Sequence, residues 1–175
     1  LTLIYRVMKR KLILAAVALL IAGSAGLFAA KPSVEQQQQL AAAMKTLVEN
    51  RNYSVRVQQA SGVKGGGIAT NSLLKVNGET AYSSMPYWGG GYNNFGNNDG
   101  MRFNGTISDY TVTVDKKNKV WVTFKVTTDT KRVYQIRMEI FYNRKTLISA
   151  SCPSLDPMRY DGVIGISDGV DNEAH

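Results

Sequence analysis

The chain is 175 residues long, 44% hydrophobic and 19% charged, with 21 Lys+Arg against 13 Asp+Glu, one His and one Cys. Sixteen Gly, nine Tyr and only four Pro suit a compact, strand-rich globule better than a disordered chain. The scarcity of His and Cys excludes a self-contained zinc finger, a Cys-rich metal site, a disulfide framework and catalysis that needs a fixed interior His, so no metal or other cofactor is expected.

From Met8 the chain reads MKRKLILAAVALLIAGSAGLFAA: Lys9, Arg10 and Lys11, then an apolar stretch from Leu12, then small residues. This is the pattern of a secretory leader, with Leu1 to Val7 as an upstream extension. Gly23 and Ala25 suit cleavage after Ala25, whereas cleavage after Ala30 would put Phe28 at −3. Leu12 to Ala30 runs for 19 residues without a charge, so an uncleaved membrane anchor is the alternative to cleavage, and a cleaved chain is expected to have no stable membrane insertion. Residues 1–30 are assigned to the leader, 31–167 to a single mainly-β domain, and 168–175 (DGVDNEAH, holding His175) to a disordered tail. The leader carries four basic residues and no acidic one, which leaves 17 basic against 13 acidic, or +4, on the remaining 145 residues. That balance gives no support to a nucleic-acid partner. A chain of this size can bury roughly 68–70% of its unfolded surface, enough for one core without disulfides. Cys152, alone in an oxidising compartment, is expected to be buried.

Next comes KPSVEQQQQLAAAMKTLVENRNY. Ser33 followed by Gln36 fits a capping box, Leu40, Met44, Leu47 and Val48 recur at helical spacing, and Asn50 and Asn52 mark the exit. The spacing predicts one amphipathic helix of about four turns that packs on the protein's own sheet. From Tyr53 the period becomes two. Tyr53, Val55 and Val57 alternate with polar residues; Leu74 and Val76 lead to a turn at Asn77-Gly78, with Tyr82 in the return strand. Further on, Tyr110, Val112 and Val114, then Val120 to Val126, then Tyr134 to Tyr142, then Ile148 and Ala150 alternate across short turns. The pattern predicts a curled antiparallel meander of about seven strands, a barrel or half-barrel with the helix plugging or flanking it.

Turns of a meander alternate ends, which gathers Lys116, Lys117, Lys119, Arg144 and Lys145 at one rim, with Lys131 and Arg132 at the other. A polyanion suits such a rim; a solvated turn surface that protects sheet edges is the simpler reading. Between the two β regions, Thr80 to Asn98 is 19 residues without a charge, carrying Tyr82, Tyr87, Trp88, Tyr92 and Phe95 with four glycines. Flat rings with polar tips on a bending backbone suit sugar stacking or the lid of a hydrophobic ligand. Alternatively the segment folds back over a barrel end and completes the core. GGGYNNFG lacks the spacing of a dinucleotide or phosphate loop.

The set formed by MPYWG at 85–89, FNGTISDY at 103–110 and VTFKV at 122–126, in the order helix, NYSVRV strand, aromatic-Gly loop and meander, resembles the exported bacterial family catalogued as domain of unknown function 4251. The resemblance spans Val34 to Tyr160, with Trp88 where that family's pattern has Phe. It implies a Gram-negative envelope or secreted setting and a mainly-β fold of barrel character, and it brings no activity or functional residues.

Carboxylates alone would have to run any acid–base chemistry, and Asp99, Asp109, Glu79, Asp115, Asp129 and Glu139 fall mostly in or beside turns. The sequence therefore points to a non-enzymatic periplasmic or secreted module. Its expected partner is a small hydrophobic ligand, a glycan or an envelope protein, and Tyr82, Tyr87, Trp88, Tyr92 and Phe95 are its candidate contact residues. In the rival reading the protein is an envelope structural or protein-interaction factor whose loop is part of its core.

Overall fold

The computed structural model describes residues 32–62, 66–87, 100–153 and 155–167; the leader, the tail and residues 88–99 lie outside the described residues. Helix α1 (Val34–Glu49) opens with the capping box: the Ser33 hydroxyl accepts from the Gln36 N–H at 3.2 Å, and Gln36 Oε1 accepts from the Ser33 N–H at 3.0 Å. Two of the donors that every helix start leaves unpaired are thereby satisfied. At the other end the Asn50 N–H reaches Thr46 O at 3.2 Å, and Arg51 takes φ 50°, turning the chain directly into a strand.

Eight strands follow: β1 (Asn52–Ser61), β2 (Gly67–Asn77), β3 (Thr80–Met85), β4 (Met101–Val114), β5 (Val120–Thr128), β6 (Val133–Ile140), β7 (Lys145–Cys152) and β8 (Leu155–Ile166). Each pairs antiparallel with its predecessor, and β8 pairs back with β1 from Tyr53↔Ile166 to Ser61↔Arg159, so the sheet closes on itself as an up-and-down barrel. Closure removes every free strand edge.

The period-two pattern dictates what faces inward. Tyr53, Val55 and Val57 of β1, Leu74 and Val76 of β2, Val120, Val122, Phe124 and Val126 of β5, and Tyr134, Ile136, Met138 and Ile140 of β6 are all buried in one continuous core, with Cys152 beside them. The residues between them face the outer wall, half-buried or exposed, with Arg56, Lys125 and Arg137, and Arg159 of β8, exposed. β4 keeps its inward face only by a bulge between Ser108 and Thr111, where Asp109 adopts φ 53°. Past it, Tyr110 and Val112 point back to the core. On β8, Gly162 occupies a position where a Cβ would lie 2.5 Å from Arg56 O, so only glycine permits this approach of β8 to β1.

The odd-numbered strands run upward from the end where β1 begins, which defines a lower and an upper mouth. α1 touches β1, β4 and β5, which stand on opposite walls of the ring, so it lies across the lower mouth as a plug. Ala41, Ala43, Met44, Leu47 and Val48 form its buried stripe. Beneath its C-terminus a relay crosses the barrel: Tyr110 Oη donates to Val48 O at 2.7 Å, which leaves the Tyr53 hydroxyl, 3.1 Å away, to donate to Tyr110. Burial first, then the neighbouring Tyr110, holds the Tyr53 phenol well above its ordinary range; burial pushes Tyr110 up to about 12. The Arg51 guanidinium stacks 4.3 Å from the Tyr110 ring centre.

Candidate functional site

β3 ends and β4 begins at the upper mouth, and buried tyrosines hold both described stems of the connection between them. Tyr160 Oη, from β8, donates to Pro86 O at 2.8 Å, and Tyr134 Oη, from β6, donates to Gly100 O at 3.2 Å. Burial, with Tyr87 nearby as a lesser cause, holds the Tyr160 phenol above its ordinary range, so it remains a donor. Tyr87 lies half-buried against the core, and its hydroxyl accepts from the Asp156 N–H at 3.1 Å. Gly100 leaves room for it, since a Cβ there would sit 2.2 Å from the Tyr87 Cβ. Beneath the stems, Ser83 Oγ donates to Met101 O at 2.7 Å and accepts from the Met85 N–H, while Phe103 and Tyr134 pack ring on ring at 4.6 Å. β3 and β8 lie three strands apart around the ring, so the Pro86–Tyr87 stem spans the opening.

Of the aromatic set predicted from sequence, Tyr87 is at this mouth, and Trp88, Tyr92 and Phe95 lie outside the described residues. Tyr82 is elsewhere. The register Leu74↔Ser83 and Val76↔Ala81 sends Ala81 and Ser83 inward, so Tyr82 stands on the outer wall of β3 with 47% of its surface exposed. Tyr134, Tyr160 and Gly100, which fix the stems, escaped the sequence reading. Tyr134 reads as an ordinary member of the alternating run from Tyr134 to Tyr142, and Tyr160 lies on a strand the pattern does not reveal; their hydroxyls acquire a role only from what lies across the barrel.

At the lower rim the β4–β5 and β6–β7 turns do bring the five predicted basic residues to one end. Two of them have acidic partners: Lys119 pairs with Glu139 and lies 4.9 Å from the Phe141 ring centre, and Lys145 Nζ is 3.6 Å from Asp161 Oδ1. Arg144 sits in a left-handed turn with φ 68°, and Lys116 and Lys117 are exposed. Asp115 organises the first turn by accepting from the N–H groups of Lys119 (3.0 Å) and Lys117 (2.8 Å), and from Trp121 Nε1 (3.1 Å). These bonds, Lys119's first, hold its carboxyl below the usual range. Of the other carboxylates considered for catalysis, Asp109 is exposed and paired with Lys125 at 2.8 Å, and Glu139 is committed to Lys119.

Comparison with known proteins places this geometry. A family model described as Domain of unknown function (DUF4251) matches residues 35–164. A crystal structure of a DUF4251 family protein from Bacteroides eggerthii matches with a TM-score of 0.58, covering 74% of this chain and 87% of that one at 14% identity, a likeness of fold. No curated protein matches the chain.

Proposed function

The chain belongs to the DUF4251 family, and from that premise we propose that it is an exported, non-catalytic binding module of the cell envelope that presents its uncharged aromatic-Gly loop at the upper mouth to a glycan or small hydrophobic ligand. The observation that carries this reading is the pair of footings, Tyr160 to Pro86 and Tyr134 to Gly100, which anchor the loop's stems to a closed scaffold. Recognition loops work from such rigid bases, because ordering entropy is already spent at the stems. Export rests on the leader pattern of residues 8–30. A chain released from that leader is expected to stay off the bilayer, because its barrel is apolar inside and charged outside, the reverse of a membrane-spanning barrel. The commitment of Asp109, Asp115 and Glu139 to lysines and turn N–H groups supports a non-catalytic role.

A second reading, in which the loop completes the core of an envelope structural or protein-interaction factor, draws on Tyr87 packed half-buried over Gly100. A Trp88→Ala variant of the exported chain separates the two. If Trp88 is a contact residue, glycan-array binding falls while the melting temperature shifts by no more than about 2–4 °C, the equivalent of ~1 kcal/mol. A loss of about 3–5 kcal/mol, typical of a deleted core aromatic, would instead assign the loop to the core.

A further inference from the structure

A second surface lies on the outer wall of the barrel. Over β5, β6 and β7 the wall forms a groove of about 440 Å³, lined among others by Thr123, Gln135, Arg137, Ser149, Ser151 and Pro157. That volume falls in the range of small-ligand sites. The register lines up Thr123, Arg137, Ser149 and Arg159 as one rung across four strands, with Lys125, Gln135 and Ser151 on the next, so the short side chains of β5 and β7 leave space on either side of the long ones of β6.

Its charges are not balanced. Asp109 at the groove's edge is neutralised by Lys125 at 2.8 Å. Arg137 has no acidic partner among the described residues; its guanidinium lies 4.5 Å from the Trp121 ring centre. Trp121 is itself fixed, since its Nε1 donates to Asp115 at 3.1 Å. Stacking holds the guanidinium plane and leaves its in-plane N–H groups without a protein acceptor among the described residues. Arg159, on the far side of Ser149, also has no acidic partner among the described residues, and two strand spacings put the two arginine backbones roughly 10 Å apart. Between and beside them stand groups that both donate and accept: the hydroxyls of Thr123, Ser149 and Ser151 and the amide of Gln135. The closed barrel offers no strand edge to which a peptide could add.

We propose that this groove binds an acidic sugar unit of a glycan, with the Arg137 guanidinium, assisted by Arg159, taking the carboxylate and the hydroxyl and amide groups taking the ring hydroxyls. Planar carboxylate recognition by a stacked guanidinium is strong and geometrically selective. Pro157 supplies the apolar wall that a pyranose face needs. The site is independent of the aromatic loop, so its failure leaves the reading of the upper mouth untouched.

Calorimetric titration of the exported chain with trigalacturonic acid, maltotriose and inorganic sulfate tests it. Saturable binding of trigalacturonic acid is expected, at least about tenfold weaker for maltotriose and for sulfate, and weakened about tenfold or more by Arg137→Ala, the loss of one charge-assisted pair. Ser149→Trp, which fills the groove without changing charge, should abolish binding, whereas Arg56→Ala, an equal charge loss on β1, should leave it within about twofold. The proposal is overturned by no saturation up to about 10 mM, by sulfate binding as tightly as the sugar acid, or by affinity indifferent to both groove substitutions.

Discussion

At the lower mouth the closure is contiguous with the wall it closes: α1 runs into β1 through two residues, buries Met44, Leu47 and Val48, and ends on a tyrosine relay whose partners stand on opposite strands. At the upper mouth β3 and β4 are joined by a long connection, and what fastens its described stems is a handful of single hydrogen bonds from Tyr160, Tyr134 and the Asp156 N–H. The first arrangement draws on apolar burial, which scales with area and is lost only when the whole fold opens. The second draws on bonds each worth about 1 kcal/mol, so the upper mouth can loosen locally while the barrel stays shut. The difference teaches where the fold draws its stability: the lower end is its foundation, and the stems at the upper end rest on a few single bonds.

The largest effect should come from the foundation. Leu47→Ala is expected to cost about 2–5 kcal/mol and to lower a single cooperative transition seen alike by far-ultraviolet circular dichroism and tyrosine fluorescence. A smaller loss, or a helix that melts before the barrel, would show that the plug is an accessory and erase the contrast between the two ends.

Alkaline titration comes second. The folded Tyr110 phenol titrates at about 12 against an ordinary value near 10, so the folded state holds this proton more tightly than the unfolded chain. The resulting stability, on the order of 2 kcal/mol, is fully present below about pH 10 and is lost as pH rises toward 12. Buried Tyr53 acts in the same direction. Urea unfolding at stepped pH should show this decline, and Tyr110→Phe should flatten it; an unchanged slope in that variant would assign the alkaline loss to other groups.

The smallest effect distinguishes the upper end. Tyr160→Phe removes the donor to Pro86 O while keeping the ring, and should cost about 1 kcal/mol. Its signature is local: proteolysis between residues 86 and 100 should accelerate several-fold while hydrogen exchange in β5 and β6 stays unchanged. Equal acceleration throughout the barrel would mean that the two mouths open as one.

Much of this fold was legible beforehand. The capping box at Ser33 and Gln36, the inward faces of β1, β5 and β6, the Asn77-Gly78 turn and the gathering of Lys116, Lys117, Lys119, Arg144 and Lys145 at one end all follow from local chemistry and parity. β8 was missed because its alternation of Met158, Tyr160 and Ile164 is interrupted by Pro157, Asp161 and Gly162, and the glycine is there for β1's benefit, not for any pattern along β8 itself. Grouping Tyr82 with Tyr87 failed to anticipate that they face different surfaces, because a strand's parity is set by the register of its neighbour. The outer groove left no trace in the sequence, since Thr123, Arg137, Ser149 and Arg159 are spread over four strands.

The sequence by itself determined the helix, seven of the eight strands, their order and which face of most of them is apolar, because helix caps, turn dipeptides and period-two patterning act over a few residues. Tertiary structure alone decided that the eighth strand meets the first, which tyrosine hydroxyls reach Pro86 and Gly100 at the upper mouth, and which exposed side chains share a rung. Those outcomes depend on register and curvature, and both are fixed only when strands far apart in the chain lie side by side.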